Sequence, residues 1–144
     1  MGKIDGLGEV RFRFHHVGMV VAKIEPVAEY YRDVLGYLIQ GSVHTDPAQK
    51  VRIQFLRLDG FAVELLEPLG PDSPVAKFLK AGGGLQHVCY ECDRMEAGLE
   101  WLRKAGAALA SPPTPAQAIE GRKVAFVVNK RRQLIELVEP TADG

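Results

Sequence analysis

The feature that most restricts how this 144-residue chain can fold is a pattern that occurs twice. His16-Val17 is followed 48 residues later by Glu64, within Val63-Glu64-Leu65-Leu66-Glu67-Pro68. His87-Val88 is followed 49 residues later by Glu136, within Ile135-Glu136-Leu137-Val138-Glu139-Pro140. Two glycines placed to stop helices keep the same phase: Gly36 lies 20 residues after His16, and Gly106 lies 19 after His87. Self-similarity at a fixed period marks a repeated structural unit that cannot bury its apolar face alone. The economical reading is two tandem βαβββ modules, an α+β chain.

The elements between these landmarks follow the same plan. Met1–Val10 has three glycines and no period, and reads as a flexible N-terminal arm. Arg11–Val21 alternates as a strand. Ile24–Leu35 reads as a helix, with Pro26 in its first turn and Val27, Tyr30, Tyr31 and Val34 as its apolar face. Strand-like runs follow at Tyr37–Val43, Lys50–Leu58 and Ala62–Leu66, with Asp59-Gly60 as a hairpin signal. This makes module one residues 11–68. A turn-rich linker, 69–84, contains a short helical stretch, Val75–Ala81. Module two, 85–140, repeats the order: a strand at Leu85–Cys92, a helix at Met95–Ala105 with Leu99 and Leu102 on one face, and strands at Ala107–Ala110, Arg122–Val128 and Gln133–Val138.

Period-2 alternation places His16 with Phe14 and Gly18, Glu64 with Ala62 and Leu66, and Glu136 with Leu134 and Val138. A carboxylate in such apolar company is costly to bury without a counter-charge. A single strand histidine is more often a satisfied core residue than a ligand. Two His and two Glu at matched repeat positions point instead to one divalent cation held by His16, Glu64, His87 and Glu136. Such a mixed N/O set suits Co²⁺, Ni²⁺, Zn²⁺, Mn²⁺ or Fe²⁺ and does not choose among them.

Composition excludes other classes. Lys+Arg and Asp+Glu are both 18, so no net charge draws the chain to nucleic acid or an anionic membrane. No apolar run reaches the ~18 residues of a membrane span. Cys89 and Cys92 lie three apart on a strand, hence on opposite faces, and lack the second pair of a Cys₄ zinc site. With no secretory leader evident, they read as reduced thiols of a cytoplasmic protein.

Several segments resemble the vicinal oxygen chelate superfamily, and within it the methylmalonyl-CoA epimerases and glyoxalase I-like proteins. They are His16-Val-Gly-Met-Val-Val21, the run from Val63 to Leu79, Leu85-Gln-His-Val-Cys-Tyr-Glu91, Gly121-Arg-Lys-Val-Ala-Phe126 and Leu134-Ile-Glu-Leu-Val-Glu139. The resemblance covers about residues 12–140. It implies a curved, half-open mixed β-barrel around a metal site, and its ligand positions fall on the same four residues. It also implies a homodimer and a small-molecule substrate, either an acyl-CoA thioester or a glutathione hemithioacetal. The implied chemistry is removal of a proton next to a carbonyl through a metal-stabilised enediolate, with Glu136 as base and Glu64 as the partner that returns the proton on the opposite face. The alternatives are a glyoxalase I-like lactoylglutathione lyase, or a dioxygenase or transferase using only His16, His87 and Glu136. Departures occur at Val127–Gln133, which is shorter and more basic than in epimerases, and at Gln54, near which some epimerases carry an acid.

Weaker candidates for substrate contact are Gln54, Cys89 and Lys123. Lys123, Lys130, Arg131 and Arg132 could meet CoA phosphates, against the commoner reading of a solvated hairpin. His15 reads as structural or exposed, His44 as a loop residue, Glu67 and Glu139 as solvated, and Tyr30, Tyr31 and Trp101 as helix packing.

Overall fold

The computed structural model describes residues 2–4 and 8–141. The chain divides into two compact units, one of residues 16–86 and the other of residues 1–15 with 87–144. The division falls inside two strands rather than at a linker, so residues 69–86 belong to the first unit and the residues before His16 to the second. Of the expected flexible arm, β1 (Gly2–Ile4) and β2 (Gly8–Val10) pair as an antiparallel ribbon, and Val10 is fully buried. Residues 1 and 5–7 of that arm lie outside the described residues.

The first unit holds most of β3 (Phe12–Val20), then α1 (Ile24–Asp33), β4 (Leu38–Asp46), β5 (Val51–Leu58), β6 (Phe61–Pro68) and α2 (Ala76–Lys80). Its strands lie in the order β4-β5-β6-β3, with β3 and β6 parallel and the others antiparallel. The Asp59-Gly60 hairpin forms as its sequence demands: both residues take positive φ, 50° and 88°, the primed turn that matches strand twist. Gly36 ends α1 at φ 84°, its N–H donating to the carbonyl of Arg32, while that of Tyr37 donates to Tyr31.

The second unit repeats the plan. It contains β7 (Gly84–Cys92) from His87 onward, α3 (Met95–Lys104), β8 (Ala108–Pro115), a 3₁₀ turn at Gln117–Ile119, β9 (Lys123–Val128) and β10 (Leu134–Val138). The order is β7-β10-β9-β8, with β7 and β10 parallel. The two βαβββ modules are therefore present. β8 runs five residues beyond the expected Ala110, through Ser111-Pro112-Pro113-Thr114-Pro115. It is the edge strand of its unit, where missing amide donors cost no ladder bonds, and two register shifts absorb the prolines.

One face of each sheet takes a helix. Against α1 the core is Val21, Ile24, Ala28, Leu56, Val63 and Leu65, with Val27 and Tyr31 packed beside it. This corrects the expected helix face, since Tyr30 and Val34 are more than half exposed. The face turns on Ile24, Val27, Ala28 and Tyr31, with the small side chain of Ala28 buried in the cluster. Against α3 lie Val10, Cys92, Ala97 and Leu137, with Leu99, Trp101 and Leu102 at the margin.

Glu67 is also corrected. Instead of being solvated it is buried, and its Oε1 accepts from the Ile24 N–H at 2.9 Å and from Arg52 at 2.9 Å. Lys23 offers α1 no side-chain cap, so Glu67 satisfies the first turn from another strand. Arg52 also pairs with Glu25 at 2.6 Å, and its hydrogen bond holds the Glu25 carboxyl down to about 2. This favourable charge is present above the ordinary carboxylate range and is lost only as pH falls towards that value. Glu139 is half-buried and accepts from the Lys123 N–H at 2.8 Å. Among the described residues no helix is long and apolar enough to cross a membrane.

The closest approach of α3 to its sheet is at Gly98, where an added Cβ would collide with Cys92 Sγ. Gly98→Ala should therefore lower stability by about 1–3 kcal/mol despite the better helix propensity of alanine. Cys92→Ala in the same chain should recover part of that loss. Urea unfolding of the two single variants and the double variant measures both effects.

Candidate metal and active site

Each unit carries one buried His–Glu pair on the sheet face opposite its helix. In the first, β3 and β6 run parallel with Gly18 beside Glu64. His16 is two residues before Gly18, so it points to the same face one diagonal step away. Its Nε2 lies 3.3 Å from Glu64 Oε1. In the second, β7 and β10 run parallel with Cys89 beside Glu136, and Cys89 is two residues after His87. His87 Nε2 lies 3.1 Å from Glu136 Oε1. The registers are the same, which is why the sequence spacings match. All four residues are at least 94% buried.

An aromatic wall completes each pair. Phe55 lies opposite Glu64 on the neighbouring strand and sets its ring edge-on to His16, at 5.2 Å between centroids. Phe126 lies opposite Glu136 and does the same to His87 at 5.5 Å. Sequence reasoning passed over these two residues. A signal existed, because each phenylalanine falls 39 positions after its histidine. The rings fix the imidazoles and keep water from them.

His16 with Glu64, and His87 with Glu136, are each an imidazole–carboxylate donor pair of the kind that can hold a metal ion. The spacing within each pair is the relevant test. Two donors bonded to one ion at about 2.1 Å, at octahedral or tetrahedral angles, lie roughly 3.0–3.4 Å apart. The observed 3.3 and 3.1 Å fall in that interval. Imidazole nitrogen and carboxylate oxygen together suit borderline divalent ions, so the residues fit the expected group.

The weaker candidates separate. Cys89 is fully buried beside Glu136, on the face of His87, and packs with Ile119, Val124 and Val138 as a small hydrophobe. Cys92 lies in the cluster under α3, so the two thiols do face opposite ways. Burial pushes the Cys92 thiol up, away from thiolate chemistry. Lys123 is exposed at the start of β9, a strand's length from Lys130, Arg131 and Arg132 in the β9–β10 turn. His15 is half-buried. His44 lies within β4, opposite Ile53, and not in a loop, because the strand continues to Asp46. Gln54 is buried and its Nε2 donates to the carbonyls of Gln40 at 2.9 Å and Gly41 at 3.1 Å. These carbonyls sit at the register shift of β4, so Gln54 satisfies an irregular strand.

This constellation defines a class. The chain belongs to the Glyoxalase/Bleomycin resistance protein/Dioxygenase superfamily, whose family model matches residues 15–126. Within that class the chain is 35% identical over 117 residues to the ethylmalonyl-CoA/methylmalonyl-CoA epimerase of Cereibacter sphaeroides, covering 80% of this chain and 87% of that protein. The structure of the methylmalonyl-CoA epimerase from Mycobacterium tuberculosis is similar at a TM-score of 0.79 and 30% identity, over 91% of this chain and 89% of that one. A methylmalonyl-CoA epimerase solved with methylmalonyl-CoA and NH₄⁺ gives a TM-score of 0.80 at 25% identity, over 91% and 96%. These likenesses bear out the fold class read from the sequence.

Gln54→Glu should aim a carboxylate at two backbone carbonyls and cost about 1–3 kcal/mol. A lowered urea midpoint would reveal it, and an unchanged midpoint would free Gln54 from this structural duty.

Proposed function

We propose that this chain is a metal-dependent epimerase that inverts the carbon next to the carbonyl of an acyl-CoA thioester, of the methylmalonyl-CoA type. The observation that carries the reading is the duplicated, buried His–Glu pair at coordination spacing. The likeness to epimerases of CoA thioesters supplies the substrate class. In this reading His16, Glu64, His87 and Glu136 together hold one divalent ion. Bound there, the ion would act as a Lewis acid towards the substrate carbonyl.

The residues divide the proton work. Glu136, buried beside Cys89 and opposite Phe126, takes the α-proton and gives it up to solvent before the next turnover. Glu64 delivers a proton to the opposite face, which epimerisation requires and a one-sided isomerisation does not. Phe55 and Phe126 hold the imidazoles still while charge develops. The same reading includes a homodimer and a cytoplasmic location, both on family resemblance.

The test is hydrogen–deuterium exchange at the α-carbon of methylmalonyl-CoA in D₂O, with metal content measured in parallel. Wild-type protein should exchange, and Glu136→Gln should lose about 10²–10⁴-fold while retaining its metal. Undiminished exchange in that variant would remove Glu136 from the mechanism. Removal of metal by a chelator should abolish exchange, and one of the divalent ions named above should restore it. Conversion of methylglyoxal with glutathione, without any methylmalonyl-CoA exchange, would reassign the chain as a lyase.

A further inference from the structure

The β9–β10 turn carries three successive cations, Lys130-Arg131-Arg132, all exposed. Most other arginines are neutralised: Arg13 and Arg122 by Glu91, Arg32 by Asp33, Arg52 by Glu25 and Glu67, and Arg103 by Glu100. Among the described residues, Arg131 and Arg132 have no acidic partner. Lys130 is already engaged, since its methylene stem covers Gly106 at the end of α3, near the negative pole of that helix. Within this turn the uncommitted charge is thus that of the two arginines, whereas Arg57, which also lacks an acidic partner among the described residues, donates to Gln40 Oε1.

The turn presenting them is well defined. Asn129 Oδ1 accepts from the Arg131 N–H at 2.9 Å and the Gln133 N–H at 3.0 Å, and Asn129 Nδ2 donates to Gln133 Oε1. Arg132 is held at φ 63°, where glycine or asparagine would sit with less strain. The turn leads directly to the site: Leu134 pairs with His87, and Glu136 is four residues beyond Arg132, about 13 Å along an extended chain. An extended pantetheine arm spans more than that.

We infer that Arg131 and Arg132 bind the phosphates at the nucleotide end of a CoA thioester whose acyl carbon lies at His87 and Glu136. This rests on the CoA-thioester reading above and adds the residues that select for the nucleotide end. Guanidinium groups suit it because they take phosphate oxygens two at a time. Because the pair is exposed, the attraction is screened by salt.

Calorimetric titration of the full-length protein with free CoA, 3′-dephospho-CoA and pantetheine tests the assignment without turnover. Wild-type protein should bind CoA at low salt, more weakly as salt is raised, and dephospho-CoA less well. Arg131→Ala/Arg132→Ala should weaken CoA binding by about tenfold or more, and Arg131→Lys/Arg132→Lys should recover only part of that loss. Circular dichroism checks that each variant is folded. In kinetics, the alanine pair should lower the ratio of kcat/KM for methylmalonyl-CoA to that for methylmalonyl-N-acetylcysteamine by about the same factor, carried by KM. Equal CoA affinity in wild type and the alanine pair, or no CoA binding by wild type, overturns the inference. Arginine-dependent CoA binding without α-proton exchange would sink the epimerase reading and leave this one standing. Exchange with CoA affinity indifferent to the arginines would do the reverse.

Discussion

Two carboxylates lie almost fully buried on apolar sheet faces, and the organisation of the molecule follows from how their charge is compensated. A lone buried carboxylate is among the costliest groups a fold can hold. Here each has an imidazole nitrogen within 3.3 Å, delivered by a parallel neighbouring strand. Parallel pairing fixes which residue of β3 faces Glu64 and which residue of β7 faces Glu136. A slip of one residue in either register would turn the histidine to the helix side and leave the carboxylate without a partner. The helices act at a distance on the same constraint. By covering the other face of each sheet, they settle which side is left for polar groups.

The duplication was legible because it is written in residue types that are rare inside a core. His16 and His87, and Glu64 and Glu136, recur at nearly equal spacings, and both registers follow from that recurrence. The matching phenylalanines recur just as regularly, but a phenylalanine on a strand looks like any core residue. Other features escaped because they depend on contacts distant in sequence. Glu67 before a proline at a strand end looks solvated until the fold brings the Ile24 N–H and Arg52 to it. The face of α1 was misphased because tyrosine and valine outweigh alanine in a count of apolar residues, whereas close packing favours small Ala28. β8 extends past the expected Ala110 through three prolines, which its position at an edge makes harmless.

The two modules have diverged around a common frame. Gly18 and Cys89 stand at equivalent positions beside the two glutamates. Glycine adds no side chain next to Glu64, while cysteine sets a buried thiol next to Glu136. The two carboxylates therefore differ in their neighbours although their histidine partners match. The hairpin tips have diverged as well: the first module turns on Asp59-Gly60, the second on a cationic loop.

The edge strand β8 has a further effect, on association between chains. An exposed strand with free amide donors is a template onto which another chain can add. Pro112, Pro113 and Pro115 have no amide hydrogen, and the register shifts on either side of Ser111 break the repeat that an incoming strand would need to follow. The prolines that carry β8 past the expected Ala110 thus make it a poor seed for fibrillar stacking.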